Sequence, residues 1–227
     1  MNRLKYLITG CGRSGTGFMA NTITQGGTPC GHENIFSPMG LITPSNLEFE
    51  SSWYAVPYLA KIPEKVKILH VVRNPRSVIN SFYRIGLLSS TIFPHLLMGR
   101  PRSFLFKLVT KPRYCQDRLR FVFRHRKIFS DYPQILNQRS ELDRLQMYWL
   151  TWNTEIERCS KEFGHPYLRI KIEEFEKEKE EISKFLNIRL ASHKETPRNL
   201  KENYVRRPAQ KIILHADVQK LAKSYGY

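Results

Sequence analysis

The feature that most constrains the fold is a glycine-rich segment near the start of the chain, between a short apolar run and an apolar helix pattern. Residues 4–9 form the apolar run, and residues 10–17 carry glycines together with Arg13, Ser14 and Thr16. This order predicts a strand, a tight loop and a helix. Glycines let such a loop bend so that successive N–H groups point at one anion, and the helix N-terminus adds partial positive charge. The segment therefore predicts a phosphate or sulfate site, with Arg13 as its cation and the two hydroxyls as donors.

The loop differs from the two common nucleotide-binding patterns. Gly10 and Gly15 have the glycine spacing of the nucleoside-triphosphate loop, but Thr16 stands where that loop needs a lysine. The next strong strand ends in Arg73 rather than in an aspartate that would hold magnesium. With Gly12, the glycines also fit the dinucleotide pattern loosely, which alone is a weak signal. An ATPase or kinase is therefore disfavoured.

Two motifs together resemble those of sulfotransferases that use 3′-phosphoadenosine 5′-phosphosulfate (PAPS). Residues 12–16 are similar to the [KR]-S-G-T loop that binds the 5′-phosphosulfate in that family, and Arg73 opens an Arg-Asn-Pro segment with Ser81 eight residues on. In the family, the matching arginine and serine hold the 3′-phosphate. The resemblance implies PAPS as cosubstrate, adenosine 3′,5′-bisphosphate as product and no metal. It assigns cosubstrate binding to Gly12, Arg13, Ser14, Gly15, Thr16, Gly17, Arg73 and Ser81.

The resemblance also indicates a site near the end of the chain. Family members often close a basic C-terminal loop over the 3′-phosphate of the nucleotide. This chain lacks a clear copy of the glycine-rich form, and Arg206 and Arg207 are its candidates.

A catalytic base is expected just after the second strand, which the sequence predicts over residues 29–32. In several sulfotransferase branches this position is a carboxylate, so the resemblance assigns Glu33 as general base, with His32 in reserve and Arg13 as the cation that stabilises developing charge. The chemistry needs such a base because the acceptor hydroxyl loses its proton as it attacks sulfur. Taken alone, the His-Glu pair indicates that Glu33 caps a turn and that His32 packs under the loop. The two flanking motifs favour catalysis.

Composition bounds the class of protein. At 227 residues and 26.8 kDa, the length suits one α/β domain. The sequence has no long apolar run and no signal peptide, which predicts a cytoplasmic protein, and a trimmed luminal domain is the alternative. Because its cysteines have no C-x-x-C spacing, we expect reduced thiols. The net charge of +17 fits steering of an anionic cosubstrate, an anionic acceptor, peripheral contact with a membrane surface, or simply a solvated basic face.

Residues 100–127 interleave basic and aromatic side chains, and Asp117 is the only acid among them. Such a mixture suits nucleic acid, an acidic glycan or a membrane surface. Because no nucleic-acid module accompanies it, we expect no nucleic-acid partner. We interpret a segment at about 94–130 as an insertion near the mouth of the site that helps to choose the acceptor.

The expected fold is a single α/β domain over residues 1–227, with three α/β/α layers and a central, mostly parallel sheet of about four to five strands. The expected function is transfer of a sulfuryl group from PAPS to an acceptor hydroxyl or amine, for example on a carbohydrate. A non-catalytic basic binding module on the same scaffold and a P-loop kinase stay open as alternatives. Residues 37–50 are predicted to form an irregular loop, and the remaining helices and strands are expected over residues 15–25, 53–61, 66–72, 75–86, 141–163, 167–172, 173–186 and 209–224.

Overall fold

The computed structural model of the chain describes residues 3–37, 40–42, 46–89, 110, 127–191 and 207–227. Within them, a five-stranded sheet lies between two layers of helices, which confirms the expected three-layer α/β/α fold. Its strands are β1 Tyr6–Gly10, β2 Cys30–His32, β5 Phe49–Ser51, β6 Lys67–Val72 and β7 Tyr167–Lys171, and a separate two-stranded hairpin pairs β3 Phe36–Ser37 with β4 Gly40–Leu41. Every neighbouring pair of strands in the five-stranded sheet is parallel, in the order β2-β5-β1-β6-β7.

Two of the helices begin at residues whose side chains cap the first turn. The Asn74 side chain accepts the Arg76 N–H before one helix, and the Ser140 side chain accepts the Asp143 N–H before another. Gly86 ends the first of these with a left-handed φ of 72°. The α-helices are α1 Thr16–Gln25, α2 Pro75–Ile85, α3 Pro133–Leu136, α4 Glu141–Glu162, α5 Phe175–Leu186 and α6 Ala216–Ser224, and 3₁₀ helices span Trp53–Lys61 and Ile172–Glu174.

Alternate residues of the central strands face the two helical layers, as the period of a strand requires. Leu7 of β1 packs with residues of α2, α4, α6 and the first 3₁₀ helix, whereas Ile8 packs with α1 and α5. Buried apolar side chains fill both layers, so the central strands are largely apolar on both faces, as is typical of parallel sheets. The loop after β1 emerges at the carboxyl end of the middle strand, where open α/β sheets bind ligands.

Two expectations about secondary structure are wrong. Residues 37–50 are not simply an irregular loop, because their last two residues begin β5, which lies between β2 and β1. This strand has three residues with Glu50 in the middle, so it lacks the apolar run that would indicate a buried strand. The last helix begins at Ala216 rather than near residue 209.

The segment before α6 is extended because side chains of α2 hold its backbone. Asn80 and Gln210 exchange two hydrogen bonds, at 3.1 and 2.8 Å, and Arg84 Nε donates to the carbonyl of Arg207 at 3.2 Å. The basic segment at 94–130 lies mostly outside the described residues, as does Arg206. In the described ranges, no helix is both long enough and apolar enough to cross a bilayer.

Candidate functional site

The loop between β1 and α1 is closed by its own hydrogen bonds. The N–H and the hydroxyl of Ser14 both donate to the Cys11 carbonyl, at 3.0 and 2.5 Å. Arg13 and Gly15 have left-handed φ angles of 70° and 115°. Among the described residues other than glycine, only Arg13, Glu33 and Asn187 have such angles. Left-handed backbone at a non-glycine residue costs about 1–3 kcal/mol and is concentrated at functional sites, and here it falls on two of the predicted site residues.

The structure brings Arg13, Arg73 and Ser81 together. Arg13 Nε donates to Ser81 Oγ at 2.9 Å, and Arg73 Nη1 donates to the Arg13 carbonyl at 2.9 Å. Arg73 directly follows β6 and Ser81 lies on α2, so the contact joins the carboxyl ends of two neighbouring parallel strands. Two guanidinium groups and a hydroxyl beside a helix N-terminus form an arrangement that suits an anion with several oxygens.

Two of the predicted ligand groups are turned into the protein. The Gly12 N–H donates to the buried hydroxyl of Tyr148 at 2.7 Å, and the Ser14 hydroxyl is used inside the loop. These groups shape the loop rather than face a ligand. The first turn of α1 has donors of its own: Met19 N–H already reaches the carbonyl of Gly15, so the N–H groups of Thr16 and Gly17 lie outside the helical ladder.

A chain of buried hydrogen bonds connects the loop with α4, β6 and β7. Asn153 Nδ2 donates to the Trp149 carbonyl at 2.7 Å and to Cys11 Sγ at 3.4 Å. Asn153 Oδ1 therefore faces His70 Nε2, 2.9 Å away, and this nitrogen must carry the ring proton because an amide oxygen only accepts. His70 Nδ1 then accepts from the Tyr167 hydroxyl at 2.7 Å. Burial lowers the pKa of His70 to about 3, so the ring is neutral in the folded protein.

We expect acidification to leave His70 neutral as long as the protein is folded. In the unfolded chain this ring takes its proton near the ordinary pKa of 6.5, so the stability that His70 contributes is complete above that pH and is lost as the pH falls towards 3. Ring ¹⁵N chemical shifts between pH 7 and pH 4 would show an unchanged Nε2–H tautomer. Titration of His70 near pH 6.5 in the folded protein would contradict the network.

Two side chains, Trp53 and His32, connect Glu33 with the loop and with the start of α1. Its carboxylate accepts a hydrogen bond from the Trp53 indole, and the Trp53 ring lies so close to Gly12 that a Cβ there would be 3.1 Å from it. On the other side, Glu33 Oε1 is 3.8 Å from His32 Nε2. The His32 ring in turn covers Gly17, where a Cβ would be 3.2 Å from Nε2. His32 therefore stands at the first turn of α1, and Glu33 lies next to His32.

The two candidate bases differ in how burial affects them. Burial raises the pKa of Glu33 to about 7, and the indole hydrogen bond opposes this increase only in part. Burial lowers the pKa of His32 below its usual value of 6.5. A carboxylate that titrates near neutrality is suited to accept a proton. Near pH 7 Glu33 is therefore about half ionised and His32 is neutral, so each of the two side chains has a form that accepts a proton.

Sequence reasoning missed three residues that shape this site: Trp53 as donor to Glu33, Tyr148 as acceptor from the loop, and Glu50 beneath the Glu33 turn. Trp53 and Tyr148 carry no signal beyond an apolar helix pattern. Glu50 carries no signal either, because its three-residue strand has no apolar run by which the sequence would mark it as buried.

Arg207, a candidate for nucleotide binding, makes several contacts within the protein. Its guanidinium pairs with both oxygens of Glu141 at 2.8 Å, stacks on the Tyr83 ring at 4.0 Å and donates to the Tyr83 carbonyl. These contacts fix the extended segment before α6 against α2 and α4.

Glu173 has a structural role. Its carboxylate accepts the N–H of Asn74, the residue after Arg73, at 3.0 Å.

The described residues contain no cluster of three His, Cys, Asp or Glu side chains placed to hold a metal ion. Cys11, Cys30 and Cys159 are free thiols, and burial raises the pKa of each.

Comparison with known proteins gives no match, either to a protein-family model or to a curated protein. The functional conclusion therefore depends on the two sequence motifs and on the geometry of the site.

Proposed function

We propose that this chain is a PAPS-dependent sulfotransferase that transfers a sulfuryl group to an acceptor hydroxyl or amine. The observation that carries the proposal is the convergence of Arg13, Arg73 and Ser81 at the loop after β1. The sequence resemblance assigns the phosphosulfate to the first of these residues and the 3′-phosphate to the other two. Their contact in the fold supports one ligand that carries both groups.

In this proposal each residue has a distinct task. PAPS, when bound, supplies an activated sulfuryl group whose leaving group is adenosine 3′,5′-bisphosphate. As the acceptor oxygen bonds to sulfur and the bond from sulfur to the phosphate oxygen breaks, Glu33 takes the proton of the acceptor. Arg13 and the N–H groups at the start of α1 stabilise the charge that develops on the transferring and leaving oxygens. Arg73 and Ser81 select the nucleotide by its 3′-phosphate.

The test is calorimetric titration with adenosine 3′,5′-bisphosphate and with magnesium-ATP. We expect the bisphosphate to bind and Arg73→Ala to weaken its binding about 10- to 100-fold, because a charge-assisted hydrogen bond is lost. Arg189→Ala is the matched control, since it removes the same charge from an exposed position after α5. It should leave the affinity unchanged.

Three results would contradict the proposal. Preferential binding of magnesium-ATP would favour a kinase. Binding of neither nucleotide would favour a non-catalytic anion-binding module. Equal losses in Arg73→Ala and Arg189→Ala would show that only the overall positive charge attracts the nucleotide.

A further inference from the structure

Glu50 lies at the centre of β5 and its side chain is completely buried. In register it pairs with Gly31 of β2 on one side and Leu7 of β1 on the other. Its side chain occupies the space that Gly31 leaves, since a Cβ at Gly31 would overlap Glu50 Oε2. A carboxylate in such a position is costly unless it is hydrogen-bonded, so its retention needs a reason.

The carboxylate of Glu50 holds the turn that carries Glu33. Oε1 accepts the N–H groups of Asn34 and Ile35, at 2.8 and 3.0 Å. The Glu33 N–H donates to the carbonyl of Ser51 at 3.1 Å. Three consecutive N–H groups, from Glu33 to Ile35, therefore end on two consecutive residues of β5.

This support matters because Glu33 has a left-handed φ of 60°. Such a backbone is strained and relaxes unless its surroundings fix it. Oε2 of Glu50 is buried and has no hydrogen-bond partner in the described part of the chain. The backbone of the turn therefore supplies the hydrogen bonds of this carboxylate, and the Phe36 N–H contributes to them as well.

The two carboxyl groups also interact through charge. Burial raises the pKa of Glu50 to about 7, the backbone N–H groups oppose this, and the charge of Glu33 raises it further. Three other titratable groups face the pair: His32, Cys30 and Tyr54. His32 Nε2 is 3.8 Å from Glu33 Oε1. Burial raises the pKa of both Cys30 and Tyr54, and a smaller increase comes from the charge of Glu50 on Cys30 and from the charge of Glu33 on Tyr54. Because charge coupling is reciprocal, a charge on Glu50 acts on Glu33 in the same direction.

We propose that Glu50 is a positioning residue: its carboxylate holds the turn that presents Glu33 and places a second acidic side chain beside that turn. The role in transfer rests on the proposed function, in which Glu33 is the base. The hold on the turn and the charge coupling are properties of the fold alone.

Two substitutions separate the two effects. Glu50→Gln keeps an oxygen that accepts both N–H groups and removes the charge, whereas Glu50→Ala removes both. Glu48→Gln is the matched control, because Glu48 precedes β5, is exposed and pairs with Lys5 at 2.8 Å.

The first measurement is the titration of the ¹³C-labelled carboxyl groups by NMR, with Glu33→Gln and Glu50→Gln used to assign the signals. We expect Glu50→Gln to lower the titration midpoint of Glu33 by about 1 pH unit, because a like charge is removed. The control should leave the midpoint unchanged. An unchanged midpoint in Glu50→Gln would overturn the charge coupling.

The second measurement is transfer from PAPS to a simple phenol, with hydrogen exchange at Asn34 and Ile35 in parallel. We expect Glu50→Ala to lower kcat about 10- to 100-fold below Glu50→Gln at the same KM for PAPS, and to lose protection of both amides. Equal kcat values and equal protection in the two variants would overturn the hold on the turn. If wild type binds no bisphosphate while the Glu33 midpoint still shifts, the proposed function fails and the coupling stands.

Discussion

Replacing Glu33 by glutamine is expected to reduce sulfuryl transfer about 100- to 10,000-fold and to leave the affinity for adenosine 3′,5′-bisphosphate unchanged. The substitution removes the carboxylate that, in the proposed mechanism, takes the proton of the attacking hydroxyl. A general base contributes a rate factor of this order. Glutamine keeps the shape of the side chain and a carbonyl oxygen that can accept from the Trp53 indole. The loss should therefore appear in kcat, measured as release of the bisphosphate from PAPS with a phenol as acceptor.

The pH dependence of wild type provides a second check on Glu33. A base acts in its deprotonated form, and burial raises the pKa of Glu33 to about 7, so kcat/KM should rise with pH up to about 7 and then level off. The matched comparison is His32→Ala, which removes the neighbouring ring and keeps the carboxylate. Full activity in Glu33→Gln together with loss of activity in His32→Ala would transfer the role of base to His32.

Replacing Gly10 by alanine is expected to destabilise the protein by about 3 kcal/mol, because there is no room for the added methyl group. A Cβ at Gly10 would overlap the carbonyl oxygen of Val71 in the neighbouring strand and lie 2.7 Å from Ser14 Oγ. Both obstacles belong to the backbone and to a buried loop, so neither can move without disturbing β6 or the loop. We expect the melting temperature to fall by roughly 10 °C.

Gly164→Ala is the control for Gly10→Ala. Gly164 has a left-handed φ of 64°, and nothing lies within 4 Å of a Cβ placed there. Alanine at this position should cost about 1 kcal/mol through backbone strain alone. Thermal unfolding of both variants separates strain from overlap. Equal losses in the two would show that β6 shifts to accept the methyl group and that the loop is not tightly packed.

The parts of the site that the sequence predicted share one property: each depends on residues close together in the chain. The turn after β1 needs glycines within eight residues, and Arg73 and Ser81 lie on one strand-to-helix junction. The spacing of apolar residues likewise placed β6, α2 and α4. Local order of this kind can be read from a sequence because backbone geometry and helix periodicity are set over a few residues.

The parts that escaped prediction depend on contacts between distant segments. The strand β5 has three residues around a buried carboxylate, and only pairing with β2 and β1 makes it a strand. The pairing of Arg207 with Glu141, 66 positions earlier in the chain, is a contact of this kind. Tyr148 reaches the Gly12 N–H across 136 positions, and no local pattern marks it.

The sequence by itself therefore determined the class of fold and the glycine-rich turn after β1, and it supplied the residues that are proposed to contact an anion. Only the tertiary structure decided that Arg13 lies against Ser81 and Arg73, and that the N–H of Gly12 and the hydroxyl of Ser14 turn inward. It also decided that Glu50 supports Glu33 from the next strand. The physical reason is that a side chain's type limits which bonds it can form, whereas burial and strand order select the partner it meets.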